Sequence, residues 1–255
     1  MTIHLNDMSG GVLVFFLVFS RVGAMVMLLP AIGDAGVPAR VRLGLALAIS
    51  FAMVPVVAHF YPPQVPQSAI ALSVLLIQET VAGILIGGMS RLIMSALSVA
   101  GQLIATQTGL AFTQSIDPTF GEQGAIVGTF FSMLGVVLIF EANLHHLAIG
   151  AIVGSFKLLP PGAPLPTGDM AQEAINLTAG AFALGLQLAA PFIIFGFAVN
   201  AAIGLLARMV PQMQVFFIAM PINLLAGFFV LMLLIGSLMT VFLNYYGTEM
   251  GRFLS

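Results

Sequence analysis

Long apolar runs separated by short polar breaks occupy almost the whole chain. An α-helix needs about 20 consecutive apolar residues to cross the hydrocarbon core of a bilayer. Runs long enough to do so lie at residues 11–30, 43–60, 69–90, 125–142, 175–205 and 215–243. A shorter run at 146–159 could be a re-entrant segment or an extension of the fourth run. The pattern predicts an all-α membrane protein with about six long apolar helices.

The breaks between the runs are rich in proline and glycine, which end or kink helices. The stretch "LLPPGAPLPTGD", residues 158–169, is the best candidate for an internal boundary. The stretch "ARMVPQMQ", residues 207–214, leaves room only for a tight turn between the last two runs. Those two runs are therefore predicted to form an antiparallel helical hairpin.

Composition agrees with a membrane protein and excludes several functions. The chain is 60% hydrophobic and 6% charged, whereas roughly a quarter of the residues in soluble domains are charged. Its seven Lys and Arg residues are too few for a nucleic-acid-binding surface. Because cysteine is absent, the chain has no disulfide framework, thiolate metal site or catalytic thiol.

Two charged residues lie in the middle of apolar runs. Arg21 is in the first run and Glu79 is in the third, each about ten residues from the start. A charge at the bilayer centre costs roughly 2.5–3.5 kcal/mol on insertion scales, so each should face protein or water. We therefore expect a buried ion pair between Arg21 and Glu79. Such a pair serves either as a structural contact between packed helices or as a proton or ion relay.

Small and amide residues inside the runs favour close helix packing. Glycines recur at four-residue spacing, a pattern that lets helix backbones approach each other in lipid. The pairs are Gly83 and Gly87, Gly124 and Gly128, and Gly150 and Gly154. Asn200 and Asn223 are also embedded in apolar runs, where amides usually form hydrogen bonds between helices that contribute about 1 kcal/mol each.

One group of residues raises the question of a metal site. Glu141 and His145 share a helix face at four-residue spacing, as metal ligands often do, and His146 follows. The HExxH arrangement of zinc proteases is absent, and the only other histidines are His4 and His59. We expect helix-end histidines at the membrane boundary, with no metal, no cofactor and no catalytic residue.

The polar segment, residues 101–124, reads "GQLIATQTGLAFTQSIDPTFGEQG". It holds four glutamines and four threonines but no Lys or Arg. Irregular backbone is tolerated at membrane depth only where it is buried in protein or lines water. Amides and hydroxyls can bond any peptide backbone weakly, so the segment suits a passage for unfolded polypeptide, with Phe112 as a movable apolar stopper. The alternative is a plain loop between helices.

Several motifs in the chain resemble those of the FliR family of flagellar biosynthesis proteins, the T component of type III secretion export gates. The motifs are "RVGAMVMLLPAIGDAGVPARVRLGLALAIS" at 21–50, "GQLIATQTGLAFTQSIDP" at 101–118, "EANLHHLAI" at 141–149 and "FAVNAAIGLLARMVPQMQVFFIAMPINLLAG" at 197–227. The resemblance extends over nearly the whole chain. It implies a FliP-like helical part at residues 1–160, followed by a Pro/Gly linker and a FliQ-like helical hairpin at 161–255.

The resemblance also implies roles and partners. FliR-like proteins join FliP-like and FliQ-like subunits in a helical gate, and a FlhB-like protein associates with it. The plug loop would be about residues 106–121, and the residues implied for the plug or pore are Gln107, Gly109, Phe112, Gln114, Asp117 and Pro118. The residues implied for subunit packing are Arg208, Pro211, Gln212, Phe216, Met220, Pro221 and Asn223.

The expected function is therefore that of a non-enzymatic subunit of the flagellar export gate in the bacterial inner membrane. It would help to form and plug the conduit for unfolded flagellar proteins. One alternative is a subunit of a virulence-type gate. Another is a small proton or ion transporter that uses Arg21, Glu79 and Glu141, although the chain has no obvious inverted repeat of the kind common in transporters.

Overall fold

The computed structural model describes residues 5–34, 36–62, 68–110, 125–209 and 215–254, with the side chains of 5–9, 125 and 215–218 excepted. Every regular element in these ranges is a helix. The α-helices are α1 (Leu5–Leu28), α2 (Ala39–Val57), α3 (Ala69–Gln107), α4 (Ala125–Glu141), α5 (His145–Leu158), α6 (Thr167–Met209) and α7 (Val215–Gly251). A short 3₁₀ turn at Ala58–Phe60 follows α2.

Five of the described helices are long and apolar enough to cross a membrane: α1, α2, α3, α6 and α7. The shorter helices α4 and α5 are separated by only three residues and count as a sixth crossing if they form one broken span. The prediction of an all-α membrane protein with about six apolar helices is therefore confirmed.

Several helices extend well beyond the apolar runs that predicted them. The third run, 69–90, is only the first half of α3, which continues to Gln107 because no proline interrupts it. The fifth run becomes the 43-residue helix α6. Pro55, Pro191 and Pro221 all lie inside helices, as membrane helices permit when neighbouring groups satisfy the freed carbonyls.

The chain divides into two compact units, each built from separate stretches of sequence. The first unit comprises Met1–Ile93, Ala142–Leu177 and Gly247–Ser255, and the second comprises Met94–Glu141 and Thr178–Tyr246. The first therefore contains α1, α2, α5 and the amino-terminal part of α3. The second contains α4, the end of α3 and most of α6 and α7.

In the first unit, the backbones of α1 and α3 pack closely at two glycines. A Cβ atom on Gly83 would lie 2.8 Å from the Ala24 Cβ, and one on Gly87 would lie 2.9 Å from the Met25 Cα. The neighbouring α1 side chains, including Val22 and Met25, are fully buried. The small-residue pair on α3 is thus the surface on which α1 packs.

In the second unit, glycines again mark the helix crossings. A Cβ atom on Gly101 of α3 would lie 2.8 Å from the Val127 carbonyl carbon of α4 and would meet the Gly128 backbone. On α6, a Cβ atom at Gly185 would lie 2.8 Å from a methyl group of Val99. These crossings hold the carboxyl-terminal part of α3 against both α4 and α6, at the start of the polar segment.

Candidate functional site

The helix α3 ends within the polar segment, at a glycine that stops the helix. The Thr108 amide still donates to the Ile104 carbonyl at 2.9 Å, but the Gly109 amide reaches only the Thr106 carbonyl, at 3.4 Å. Gly109 has φ +81°, a left-handed conformation that glycine adopts without steric cost and that commonly ends helices. Gln107, Thr108 and Gly109 together form what we call the foot of the polar segment.

The foot is held by α6 and α7 within the second unit. The Asn223 Nδ2 donates to the Gln107 carbonyl at 3.4 Å. A Cβ atom on Gly227 would lie 2.9 Å from the Thr108 Cβ, and one on Gly196 would lie 3.1 Å from the Gln107 Cβ. Because both glycines allow the foot to pack against the helix backbone, α6 and α7 fix its position from two sides.

The structure therefore brings together three of the residues singled out from the sequence: Gln107, Gly109 and Asn223. The Asn223 Oδ1 is buried and accepts no hydrogen bond from the described residues. Four plug candidates and two packing candidates lie outside the described residues: Phe112, Gln114, Asp117, Pro118, Pro211 and Gln212. Phe216, Met220 and Pro221 lie in α7; Met220 is half-buried and Pro221 is exposed.

The carboxyl-terminal third of α6 packs on almost nothing in the described part of the chain. In residues 197–209, which we call the uncovered helix end, every residue is exposed except Val199 and Ile203, and these two are half-buried. Phe197 is 77% exposed and Met209 is 78% exposed. The exposed residues include polar groups: Asn200 lies in the first turn of this stretch, and Arg208 lies in the last turn of the helix.

A second polar site lies inside the first unit. The Arg21 Nε donates to the Glu79 Oε2 at 2.6 Å, and the Arg21 Nη2 donates to the Glu79 Oε1 at 3.1 Å. Both side chains are buried, at 2% and 0% exposure. Tyr61 is buried nearby, and burial, reinforced by the Glu79 carboxylate, raises the pKa of its phenol.

The residues considered for metal binding do not form a ligand cluster. His146 Nδ1 lies 3.2 Å from the Asn143 carbonyl, and the rings of His145 and His146 are 4.2 Å apart. Within the described ranges, no three or more His, Asp and Glu side chains are arranged to hold a metal ion.

Sequence reasoning missed the contacts that involve main-chain atoms. Arg21 also donates to the main-chain carbonyls of Ser155 and Leu159, and no residue type in the sequence marks these two acceptors. Gly196 and Gly227 do not belong to the glycine pairs noted above. One signal was available on α6, where Gly196, Asn200, Gly204 and Arg208 recur at four-residue spacing and so share one helix face.

These features define a class of protein: an all-helical, multi-pass membrane protein with few charges and with glycines at its helix crossings. The family described as "Bacterial export proteins, family 1" matches residues 12–248. The chain is 41% identical to the flagellar biosynthetic protein FliR of Caulobacter vibrioides, over 90% of this chain and 91% of that protein. It is 33% identical to FliR of Pectobacterium carotovorum subsp. carotovorum, over 92% and 89% of the two chains, and 33% identical to FliR of Escherichia coli, over 84% and 80%. The chain therefore belongs to the FliR family of bacterial export proteins.

Proposed function

We propose that this chain is a non-enzymatic subunit of the flagellar type III protein export gate in the bacterial inner membrane. In this role it helps to form and plug the conduit through which unfolded flagellar proteins leave the cytoplasm. The FliR relatives, which are named as flagellar biosynthetic proteins, support the flagellar assignment. The uncovered helix end of α6 is the observation that carries the subunit role.

Exposed apolar surface alone does not distinguish a lipid-facing helix from a subunit interface. No candidate span has more than 33% of its most apolar stretch buried within the chain, and for α7 the value is 17%. Lipid would cover such surfaces as well as protein would, because lipid tails are as apolar as leucine. The small and polar residues on these surfaces therefore distinguish a lipid-facing helix from a subunit interface.

On the uncovered helix end, those residues favour a protein partner. The Asn200 side chain forms no hydrogen bond with any described residue, and it is exposed in the carboxyl-terminal part of an apolar helix. In hydrocarbon an amide needs a partner on a neighbouring helix. Gly204 lies one turn further along the same face, and a Cβ atom there would meet nothing within 4 Å. The face that contains Asn200 and Gly204 is thus built for close approach by a helix from another subunit.

We propose FliP-like and FliQ-like subunits as the partners that cover this face, with a FlhB-like protein associated. In this assignment residues 1–160 form the FliP-like part, and residues 161–255 form the linker and the FliQ-like hairpin of α6 and α7. The contact between Gly180, near the start of α6, and Tyr245, near the end of α7, supports antiparallel pairing of these helices. The residues proposed for subunit packing are Arg208, Pro211, Gln212, Phe216, Met220, Pro221 and Asn223.

The plug is proposed for residues 106–121, a range that includes the foot and continues beyond it. The foot is fixed by Asn223 and by close contacts at Gly196 and Gly227, so the residues beyond Gly109 start from a rigid base. The Asn223 Oδ1, which accepts no hydrogen bond from the described residues, adds an acceptor at that base. The conduit would carry unfolded polypeptide. The plug and pore residues in this proposal are Gln107, Gly109, Phe112, Gln114, Asp117 and Pro118.

The replacement Gly204→Leu tests the subunit role. Its side chain has free space in the chain itself, so the stability of the lone chain should not fall. In the assembled gate the added bulk would separate α6 from its partner, at a cost of about 1–3 kcal/mol. We therefore expect the amount of FliP-like and FliQ-like protein that co-purifies to fall by about tenfold.

The matched control is Gly236→Leu on α7. A Cβ atom at Gly236 also meets nothing within 4 Å, and the neighbouring Thr240 hydroxyl already donates to the Gly236 carbonyl at 2.9 Å. The Gly236 carbonyl therefore needs no polar partner from another subunit, so Gly236→Leu should retain the co-purifying subunits. Equal recovery of partners with Gly204→Leu and Gly236→Leu would show that lipid covers the uncovered helix end.

A further inference from the structure

Arg21 makes more contacts than an ion pair requires. Besides its two bonds to Glu79, its Nη1 donates to the Ser155 carbonyl at 2.9 Å and its Nη2 donates to the Leu159 carbonyl at 2.8 Å. The guanidinium carbon also lies 4.2 Å above the centre of the Phe156 ring. One buried side chain on α1 thus contacts α3 through Glu79 and the carboxyl-terminal end of α5 through three residues.

The sequence after α5 supplies few backbone N–H donors to the carboxyl-terminal end of this helix. The last four carbonyls of an α-helix have no partner within the helix unless the following residues supply N–H groups. Here α5 is followed by Leu159, Pro160 and Pro161, and proline has no N–H. The Leu159 amide donates to the Ser155 carbonyl at 2.9 Å, so the Arg21 Nη1 is a second donor to that carbonyl. Leu159 itself leaves the helical conformation, at φ −127° and ψ 77°, and its own carbonyl accepts from the Arg21 Nη2. The end of α5 is also buried, since Phe156 is fully buried and Leu159 is 8% exposed.

We propose that Arg21 is a positioning residue that caps the end of α5 and fixes that helix to α1 and α3. Glu79 holds the guanidinium in the required orientation, because its two oxygens occupy one edge of the planar group and direct the remaining N–H groups towards α5. The positive charge also complements the negative end of the α5 dipole. We refer to Arg21, Glu79 and the Ser155 and Leu159 carbonyls as the arginine clamp.

The arginine clamp predicts an outcome that a simple ion pair does not. If the pair alone mattered, exchanging the charges with Arg21→Glu and Glu79→Arg would restore it. A carboxylate at position 21 cannot donate to the Ser155 and Leu159 carbonyls, however, and would repel them. The exchanged variant should therefore fail to hold α5, although both charges are still present.

Cysteine reactivity can measure whether α5 is held. The natural chain has no cysteine, so a single introduced thiol reports one position. Ala148→Cys places it at a buried site on α5, two turns from the arginine clamp, and Ser68→Cys places it at an exposed site before α3. The full-length chain is labelled with N-ethylmaleimide in membranes of cells that also make the other export proteins. The labelling rate then reports the population in which α5 is released.

With Arg21 present, we expect Ala148→Cys to react more slowly than Ser68→Cys by about tenfold or more, as for groups exposed only by local opening. Adding Arg21→Gln or the charge exchange should bring the two rates close together. Arg21→Lys should give an intermediate labelling rate, because lysine retains the charge but lacks the planar fork of arginine. If Arg21→Gln does not accumulate in cells, Arg21→Lys provides the measurement instead. Protection equal to the natural chain in the charge-exchanged variant would overturn the proposal.

Glu79→Gln separates the clamp from a proton relay. Glutamine at position 79 can still accept one bond from Arg21 and so can still help to hold α5. Under the proposal, export of flagellar protein falls only if the labelling rate of Ala148→Cys rises with it. Loss of export with full protection of Ala148→Cys would assign Glu79 a titrating role and overturn the proposal. The labelling measurements do not depend on the proposed export function.

Discussion

Gly83→Leu should destabilise the chain by about 3 kcal/mol or more, the upper end of the cost of overpacking a core. A Cβ atom at Gly83 would run into the Arg21 carbonyl oxygen and lie 2.8 Å from the Ala24 Cβ. Most of these neighbours are backbone or backbone-proximal atoms that cannot rotate away, so α1 would have to move off α3. Because Arg21 would move with it, the arginine clamp would open as well.

Gly88→Leu is the matched control for Gly83→Leu. Gly88 lies five residues further along α3, and a Cβ atom there would meet nothing within 4 Å. Leucine is a better helix former than glycine by almost 1 kcal/mol, so this variant should be as stable as the natural chain or more stable. Thermal unfolding of the detergent-solubilised variants, followed by size-exclusion chromatography, measures the difference. Equal unfolding temperatures for the two variants would contradict the α1–α3 packing described above.

Deleting residues 109–116 should make the inner membrane permeable to ions and small solutes while the gate still assembles. The deletion removes the left-handed glycine and most of the uncharged polar residues that follow the foot, so the proposed plug would be lost. The contacts at Gln107 and Thr108 that fix α3 between α6 and α7 would remain. We expect a severalfold rise in solute uptake by whole cells, with undiminished co-purification of the other gate subunits.

Replacing residues 63–67 by a Gly/Ser stretch of equal length is the control for this deletion. These residues form another connection between apolar helices, and no plug role is proposed for them. The control should leave the membrane tight. A tight membrane and normal flagellar export after deletion of 109–116 would show that the plug assignment is wrong.

The fold could be predicted from the sequence because the bilayer imposes a minimum apolar length on any helix that crosses it. Runs of about 20 apolar residues are a strong signal, and they identified the long helices α1, α2, α3, α6 and α7. The helix ends were harder to predict. The end of α3 at Gln107 depends on the left-handed Gly109, and good helix formers such as glutamine, leucine and alanine on either side conceal that stop.

The polar sites could be predicted only in part. The cost of a charge in hydrocarbon was enough to propose that Arg21 and Glu79 meet, but it could not identify the Ser155 and Leu159 carbonyls as further partners. Every residue has a carbonyl, so no residue type marks the one that an arginine will reach. For the same reason the contact between Asn223 and the Gln107 carbonyl had no sequence signal.

The packing of α6 illustrates a different limit. Hydrophobicity predicted the helix, but the same apolar sequence is compatible with lipid or with another subunit. Only the structure shows that the other described residues leave Asn200 and Gly204 uncovered.

Electron microscopy of the chain co-purified with its FliP-like and FliQ-like neighbours measures most directly whether this protein is a subunit built around an export conduit. We predict that residues 197–209 are buried against a helix of another subunit, with the Asn200 amide hydrogen-bonded across that interface and residues 106–121 across the conduit. A map in which residues 197–209 face only lipid, with residues 106–121 away from any conduit, would contradict the account.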